Sequence, residues 1–258
     1  MWKIINASVI GTSHIDRQQI CQDYCLAKTI YSDTKSYLVA LVSDGAGSAR
    51  KSELGAKYSC EIMLSCIQRS LKNIQSRNLT KSDVEIWISI VQKSLNQLAR
   101  RKGFILRDFA CTLMGTVVAK DWALFFQIGD GAMVASISNQ WQVIFWPDTG
   151  EYANMTYFIT EKQALSHLHV KIISTPPIEE VALFSDGLQR LVLSFLNKNV
   201  YTPFFDSIFS TLRKRPFFHY KELNKSLEHY LNSKAVNDRT DDDKTLVLAT
   251  KRKDERVL

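Results

Sequence analysis

Apolar positions recur along the chain with two periods. Short extended runs occupy Ala7–Gly11 and Tyr37–Val42, the second running into Asp44-Gly45. Leu54, Tyr58, Met63, Ile67, Leu71 and Ile74 then follow helical spacing. Ser82-x-x-Glu85 reads as a capping box that opens a second helix. Its stripe is Val84, Trp87, Ile88, Val91, Leu95 and Leu98, and it stops at Gly103. The runs Thr112–Val118, Trp122–Ile128, Ala132–Ile137 and Trp141–Trp146 have short connections, which predicts antiparallel pairing. Val181–Phe184 predicts a further strand, and Asp186-Gly187 leads from it into a helical pattern over Leu188–Leu196. Helical patterns also cover Phe204–Arg213 and Tyr220–Leu231, and Thr245–Leu248 predicts a closing strand. Strands segregated from pairs of helices predict an α+β sandwich, not an alternating βαβ fold. Without a linker or internal repeat, one domain over residues 1–258 is expected.

Composition narrows the setting. Hydrophobic residues make up 45% of the chain and charged residues 23%, which is enough to build a core and excludes wholesale disorder. No apolar run approaches the roughly 20 residues a bilayer requires, and Asn6 interrupts any leader, so a soluble cytoplasmic protein is expected. The 5 cysteines form no CxxC pair, and Cys21-x-x-x-Cys25 has no matching second pair, which argues against zinc. A net charge of +7 favours anionic partners, whether phosphoprotein, nucleic acid or membrane surface, or reads simply as a soluble basic surface. No basic stripe with interleaved aromatics supports nucleic-acid binding.

Candidate chemistry lies where apolar runs end in acids. Leu41-Val42-Ser43-Asp44-Gly45, Ile128-Gly129-Asp130-Gly131 and Leu183-Phe184-Ser185-Asp186-Gly187 repeat one arrangement, and Asp241-Asp242-Asp243 precedes the last strand. Asp-Gly between apolar runs is also a hairpin signal. However, Asp44-Gly45 continues into Ala46-Gly47-Ser48, and Asp186-Gly187 runs into a helical pattern. Carboxylates gathered at strand ends, without partnered His or Cys, select hard cations such as Mg²⁺ or Mn²⁺. The histidines make no site of their own: His167 and His169 alternate without a third ligand, and His219 and His229 fall in helix-rich segments. Ser43 and Ser185 lack a G-x-S-x-G context, and no GxGxxG or GxxxxGK[ST] cradle is present. Met63, Trp87, Tyr220 and Tyr230 read as packing residues.

The order of Cys21-Gln22-Asp23, Asp44-Gly45-Ala46-Gly47-Ser48, Cys111-Thr112-Leu113-Met114-Gly115, Gly129-Asp130-Gly131, Ser185-Asp186-Gly187 and Asp242-Asp243-Lys244-Thr245 resembles the metal-dependent protein phosphatase family, protein phosphatase 2C. Gly11-Thr12-Ser13-His14 and Gly150-Glu151-Tyr152-Ala153-Asn154 point to its small bacterial branch. The resemblance extends from about Ala7 to Ala249. It implies a four-layer αββα sandwich, two antiparallel sheets flanked by helix pairs, with the metal site at one end. It further implies a serine/threonine phosphoprotein phosphatase that hydrolyses phosphomonoesters with a metal-activated hydroxide, using two Mn²⁺ or Mg²⁺ ions and in some relatives a third.

Carried over by position, Asp44 bridges both metals and Gly45 offers its carbonyl to one. Asp186 and Asp242 are ligands of the first ion, Asp23 lies near the second, and Asp130 matches the ligand of a third. Asp44 and Asp186 are the residues on which catalysis most depends. Asp243 is a neighbour and not a ligand; Asp241 is second to the site or a cap. Two departures stand out. Gln18 replaces an arginine that clamps the substrate phosphate in many relatives, leaving His14 and Arg17, and more weakly Lys28, as anion contacts. Ala46 replaces a histidine proposed as general acid, so leaving-group protonation has no obvious owner. The expected partners are phosphorylated Ser/Thr proteins and a cognate Ser/Thr kinase, with no nucleic acid or membrane, and a monomeric state. Residues 147–166 stand in the place of the family's flap. The rival readings are a catalytically silent relative that binds a regulatory partner and, from the charge alone, a metal-dependent nuclease.

Overall fold

The computed structural model describes residues 2–32, 35–73, 78–147, 156–174, 177–214 and 220–251. Its strands are β1 (Trp2–Val9), β2 (Tyr24–Ser32), β3 (Lys35–Ser43), β4 (Leu113–Val118), β5 (Ala123–Ile128), β6 (Ala132–Ile137), β7 (Gln140–Phe145), β8 (His169–Ile173), β9 (Ile178–Phe184), β10 (Leu193–Ser194), β11 (Asn199–Val200) and β12 (Lys244–Lys251). The helices are α1 (Thr12–Asp16), α2 (Ser52–Asn73), α3 (Lys81–Arg101), α4 (Gln189–Val192), α5 (Thr202–Lys214), α6 (Tyr220–Leu231) and α7 (Lys234–Asn237). Two five-stranded antiparallel sheets have the orders β1-β12-β9-β6-β7 and β2-β3-β4-β5-β8.

Side-chain alternation makes these sheets the inner layers of a sandwich. Along β3, Leu38, Ala40 and Val42 face a core shared with Val181, Leu183, Val247 and Ala249 of the other sheet. Val39 and Leu41 face the opposite way, onto Ala56, Met63, Trp87 and Ile88 of α2 and α3. On the second sheet, Ala182 and Phe184 meet Phe205, Phe209 and Leu227 of α5 and α6. Both sheet faces are therefore dry, which is why Tyr37–Val42 is continuously apolar rather than alternating. The result is the expected αββα layering.

Several local expectations need correction. The cap of α3 is Thr80, whose hydroxyl accepts from the Asp83 N–H while the Asp83 carboxylate accepts from the Thr80 N–H. The box thus lies two residues before Ser82, and Asp serves where Glu was expected. The end of α3 is as expected: Gly103 has φ +76°, Phe104 N–H donates to Ala99 O at 2.9 Å and Gly103 N–H to Arg100 O at 3.2 Å, a Schellman closure. Leu188–Leu196 is not one helix. It divides into a 3₁₀ turn (Asp186–Leu188), α4 and β10. Leu191, Val192 and Leu193 are all buried, and a continuous apolar run has no period with which to choose helix over strand. His167 ends a 3₁₀ turn while His169 opens β8, so they do not alternate along one strand. Met63 and Trp87 are core residues, but Tyr230 is 41% exposed. Residues 148–155, including Gly150–Asn154, and His219 lie outside the described residues.

Candidate metal centre

Strand register gathers the acids. In the β2–β3 pair Tyr24 stands opposite Ser43, so Asp23, just before one strand, comes beside Asp44, just after the other. In the β9–β12 pair Phe184 stands opposite Leu246, which sets Asp186 beside the Asp241-Asp242-Asp243 run. The Gly129-Asp130-Gly131 link carries the chain from β5 in one sheet to β6 in the other, at the same end of the sandwich. Its carbonyls are held by Gln127 Nε2, which donates to Gly129 O at 2.9 Å and Gly131 O at 2.8 Å. None of these Asp-Gly pairs closes a simple hairpin. Gly45 bridges to Cys111, and Gly187 enters a 3₁₀ turn. A Cβ at position 187 would lie 2.1 Å from the Asp243 carbonyl oxygen, so glycine there permits close backbone approach.

The enclosed cup has a volume of about 380 Å³; its lining includes Asp44, Gly45, Asp130, Asp186 and Asp242, with His14 and Arg17 at one side. Asp23 is buried against this group, accepting from Ser185 Oγ at 2.7 Å. Ser185 Oγ in turn accepts from Thr245 N–H at 3.0 Å, which fixes its proton toward Asp23. Asp44 is tied by its N–H to Thr112 Oγ1 at 2.9 Å, and Thr156 Oγ1 donates to Asp130 Oδ2. Asp243 is not part of the cup lining. Its Oδ1 accepts from Gly11 N–H at 2.7 Å and pairs with His14 Nδ1 at 2.9 Å, and its Oδ2 accepts from Gln22 N–H at 2.6 Å. Lys28 sits exposed in the middle of β2 opposite Val39 and takes no part in the lining, contrary to its candidacy as an anion contact.

The electrostatics follow from that crowding. Burial pushes Asp23 up to about 7, with Asp243 and Asp186 adding to the rise against the Ser185 hydrogen bond. Burial, then Asp130 and Asp242, raises Asp186 to about 7. Asp44 is pushed well above the carboxylate range by burial and by Asp23, Asp186 and Asp130. Asp242 is raised by burial, with His14 opposing. Lys244 is the nearby buried cation, yet its Nζ donates to Asn237 Oδ1 at 2.9 Å and Ile10 O at 3.4 Å rather than to an acid of the cup. Three buried side-chain oxygens, Asp23 Oδ1, Asp186 Oδ1 and Gln22 Oε1, have no hydrogen-bond donor. The acids ring the cup rather than meet at one point: among the described residues, no three His, Cys, Asp or Glu side chains stand together at ligand spacing. An all-oxygen donor set with orphaned buried acceptors and mutually raised acids fits hard divalent cations.

Ser185, Thr112, Thr156 and Gln189, whose Nε2 donates to the Asp130 carbonyl, support the site without a sequence motif that marks them as supports. For Ser185 the available signal was its place immediately before an Asp-Gly pair.

Fold and site together define an acid-lined hydrolase cup at the shared end of two stacked sheets. Residues 10–232 match the family described as Protein phosphatase 2C, and the chain belongs to that family. It is 37% identical over 251 residues to Serine/threonine-protein phosphatase 3 of Escherichia coli (strain K12), covering 96% of this chain and 98% of that protein. Among solved structures it resembles a bacterial serine phosphatase with a TM-score of 0.62 at 15% identity, covering 99% of this chain and all of that one (100%). It also resembles Serine/threonine phosphatase Stp1 from Staphylococcus aureus, with a TM-score of 0.61 at 16% identity over 98% of this chain and 96% of that one. A third likeness, at a TM-score of 0.53 and 16% identity over 96% and 94% of the two chains, is to RsbX in complex with magnesium. The activity of this chain is accordingly that of a protein-serine/threonine phosphatase, a phosphoric monoester hydrolase.

Proposed function

We propose that Asp23, Asp44, Asp186 and Asp242, with the Gly45 carbonyl, hold two Mn²⁺ or Mg²⁺ ions, and that Asp130 serves a third, weaker one. The observation that carries this is the pair of orphaned buried oxygens, Asp23 Oδ1 and Asp186 Oδ1, in a cup whose acids raise one another. When bound, such ions neutralise the phosphoryl oxygens and make water nucleophilic at neutral pH for in-line attack. The chain's own contribution is positional. Ser185 fixes the Asp23 carboxylate, Thr156 fixes Asp130, and Thr112 fixes the backbone at Asp44. Arg17 and His14 border the cup, and Arg17 receives the phosphate oxygens with a fork of donors suited to that task.

The substrates in this reading are phosphoserine and phosphothreonine side chains of proteins, set against a cognate Ser/Thr kinase. The chain acts as a single catalytic domain and as a monomer, without nucleic acid or membrane; of the flap expected at residues 147–166, residues 148–155 lie outside the described residues. Interleaving of both chain ends in one sheet, β1 against β12, supports one domain. No helix of the described residues is long and apolar enough to cross a membrane. The test is Asp44→Ala and Asp186→Ala against p-nitrophenyl phosphate with Mn²⁺, beside an EDTA control. Each is expected to lower turnover by about 10²-fold or more with the fold retained. Wild-type-like activity in either variant overturns the site.

A further inference from the structure

We propose that His14, held by Asp243, is the acid that protonates the leaving serine or threonine oxygen; this rests on the phosphatase reading above and names an owner for a step that reading leaves unassigned. The argument begins with what fixes the ring. Asp243 is 3% exposed, and its two oxygens are anchored by the backbone N–H groups of Gly11 at 2.7 Å and Gln22 at 2.6 Å, on either side of α1. That immobile carboxylate takes His14 Nδ1 at 2.9 Å. A carboxylate accepts and does not donate, so Nδ1 carries a proton and the exchangeable site is Nε2. His14 is 8% exposed and lines the same cup as Asp44, Asp186 and Asp242, and its Nε2 has no partner among the described residues. The pairing has the logic of a buried carboxylate that orients an imidazole and presents its second nitrogen.

Elimination points the same way. A carboxylic acid that holds a divalent ion has given up its proton, which removes Asp23, Asp44, Asp130, Asp186 and Asp242 as donors in the loaded enzyme. Arg17 does not deprotonate, and Ala46 offers nothing. Asp243 stands outside the proposed ligand set: its carboxylate is taken up by Gly11, His14 and Gln22, while its N–H donates to Asp242 Oδ1 at 2.8 Å.

The step balances. Water attacks phosphorus opposite the ester oxygen. The P–O(water) bond forms as the P–O(ester) bond breaks, and the pair of electrons from the broken bond goes to the serine or threonine oxygen. That oxygen takes the Nε2 proton and leaves as the neutral alcohol. The proton released by the attacking water passes to solvent, and the ring regains one from solvent before the next turnover. An alkoxide is a poor leaving group and depends on this proton; p-nitrophenolate is stable without it.

The test uses the full chain with Mn²⁺ and two substrates, a phosphoserine peptide and p-nitrophenyl phosphate. His14→Asn keeps an amide N–H where Nδ1 donates to Asp243 but removes Nε2. It is expected to lower kcat for the phosphoserine peptide by about 10²-fold, with KM changed only a few-fold and p-nitrophenyl phosphate turnover reduced no more than a few-fold. Asp243→Asn is expected to shift the two substrates in the same unequal way, more mildly. Thermal unfolding of each variant checks the fold, and His14→Gln is a second route to the same comparison. Equal losses on both esters, a rise in KM alone, or no loss overturn the role of His14 and leave the phosphatase standing. If the wild-type chain hydrolyses neither ester with Mn²⁺, the phosphatase reading fails and this assignment falls with it.

Discussion

At the scale of single residues, hydroxyls set the acids and the acids set the chemistry. Ser185 donates to Asp23 at 2.7 Å and accepts from Thr245 N–H at 3.0 Å, so Ser185→Ala strands two buried groups. We expect a stability loss of about 1–3 kcal/mol by denaturant unfolding and a roughly 10–100-fold higher Mn²⁺ concentration for half-maximal activity. A silent change in both would show that Asp23 needs no positioning. The raised acids also give the ion-stripped protein a distinctive pH dependence. Asp23 and Asp186 rise from 3.8 to about 7 on folding, so across that interval the folded chain binds more protons than the unfolded one. Their contribution therefore weakens stability as pH rises through the interval, instead of strengthening it as paired carboxylates do. In EDTA the melting temperature of wild type is expected to fall more steeply from pH 5 to 8 than that of Asp186→Asn. Parallel slopes would mean that burial does not perturb these carboxyls.

At the scale of elements, what the sequence made legible depended on whether a segment has one buried face. Helix α3 has such a face, and Val84, Trp87, Ile88, Val91 and Leu95 are buried as their spacing required. Its cap was misplaced because Ser82 and Glu85 fit the motif as well as Thr80 and Asp83 do, and only backbone geometry separates them. Thr80→Ala is thus expected to cost about 1 kcal/mol and Ser82→Ala less than about 0.5 kcal/mol, measured by thermal unfolding. The reverse order would restore the sequence reading of the cap. Strand β2 has no clear signal in the sequence. Most of it is half-buried, with Lys28 and Tyr31 exposed, so neither period stands out and its place is set by pairing with β3. Strand β8, equally mixed in exposure, lies at the far edge of the same sheet. Leu188–Leu196 shows no period for another reason: Leu191, Val192 and Leu193 are buried in succession, while the equally apolar Phe195 and Leu196 are exposed.

At the scale of the whole molecule, the candidate site is a product of topology. Asp23 and Asp44 approach through one sheet, Asp186 and Asp242 through the other, and Asp130 rides the link between them. Acid-ending apolar runs and their order were readable in the sequence, and the cup gathers the acids they named, with Asp23 beneath the lining. The supports were not readable, because Ser185, Thr112, Thr156 and the pairing of Asp243 with His14 join positions far apart in the chain. The claim on which the rest depends is that this ring of acids takes up hard divalent ions. The direct measurement is a Mn²⁺ binding titration of EDTA-stripped full-length chain at neutral pH, run beside Asp44→Ala. We expect saturable uptake of two ions per wild-type chain and loss of that uptake in the variant. No saturable binding, or equal binding by the two proteins, would contradict it.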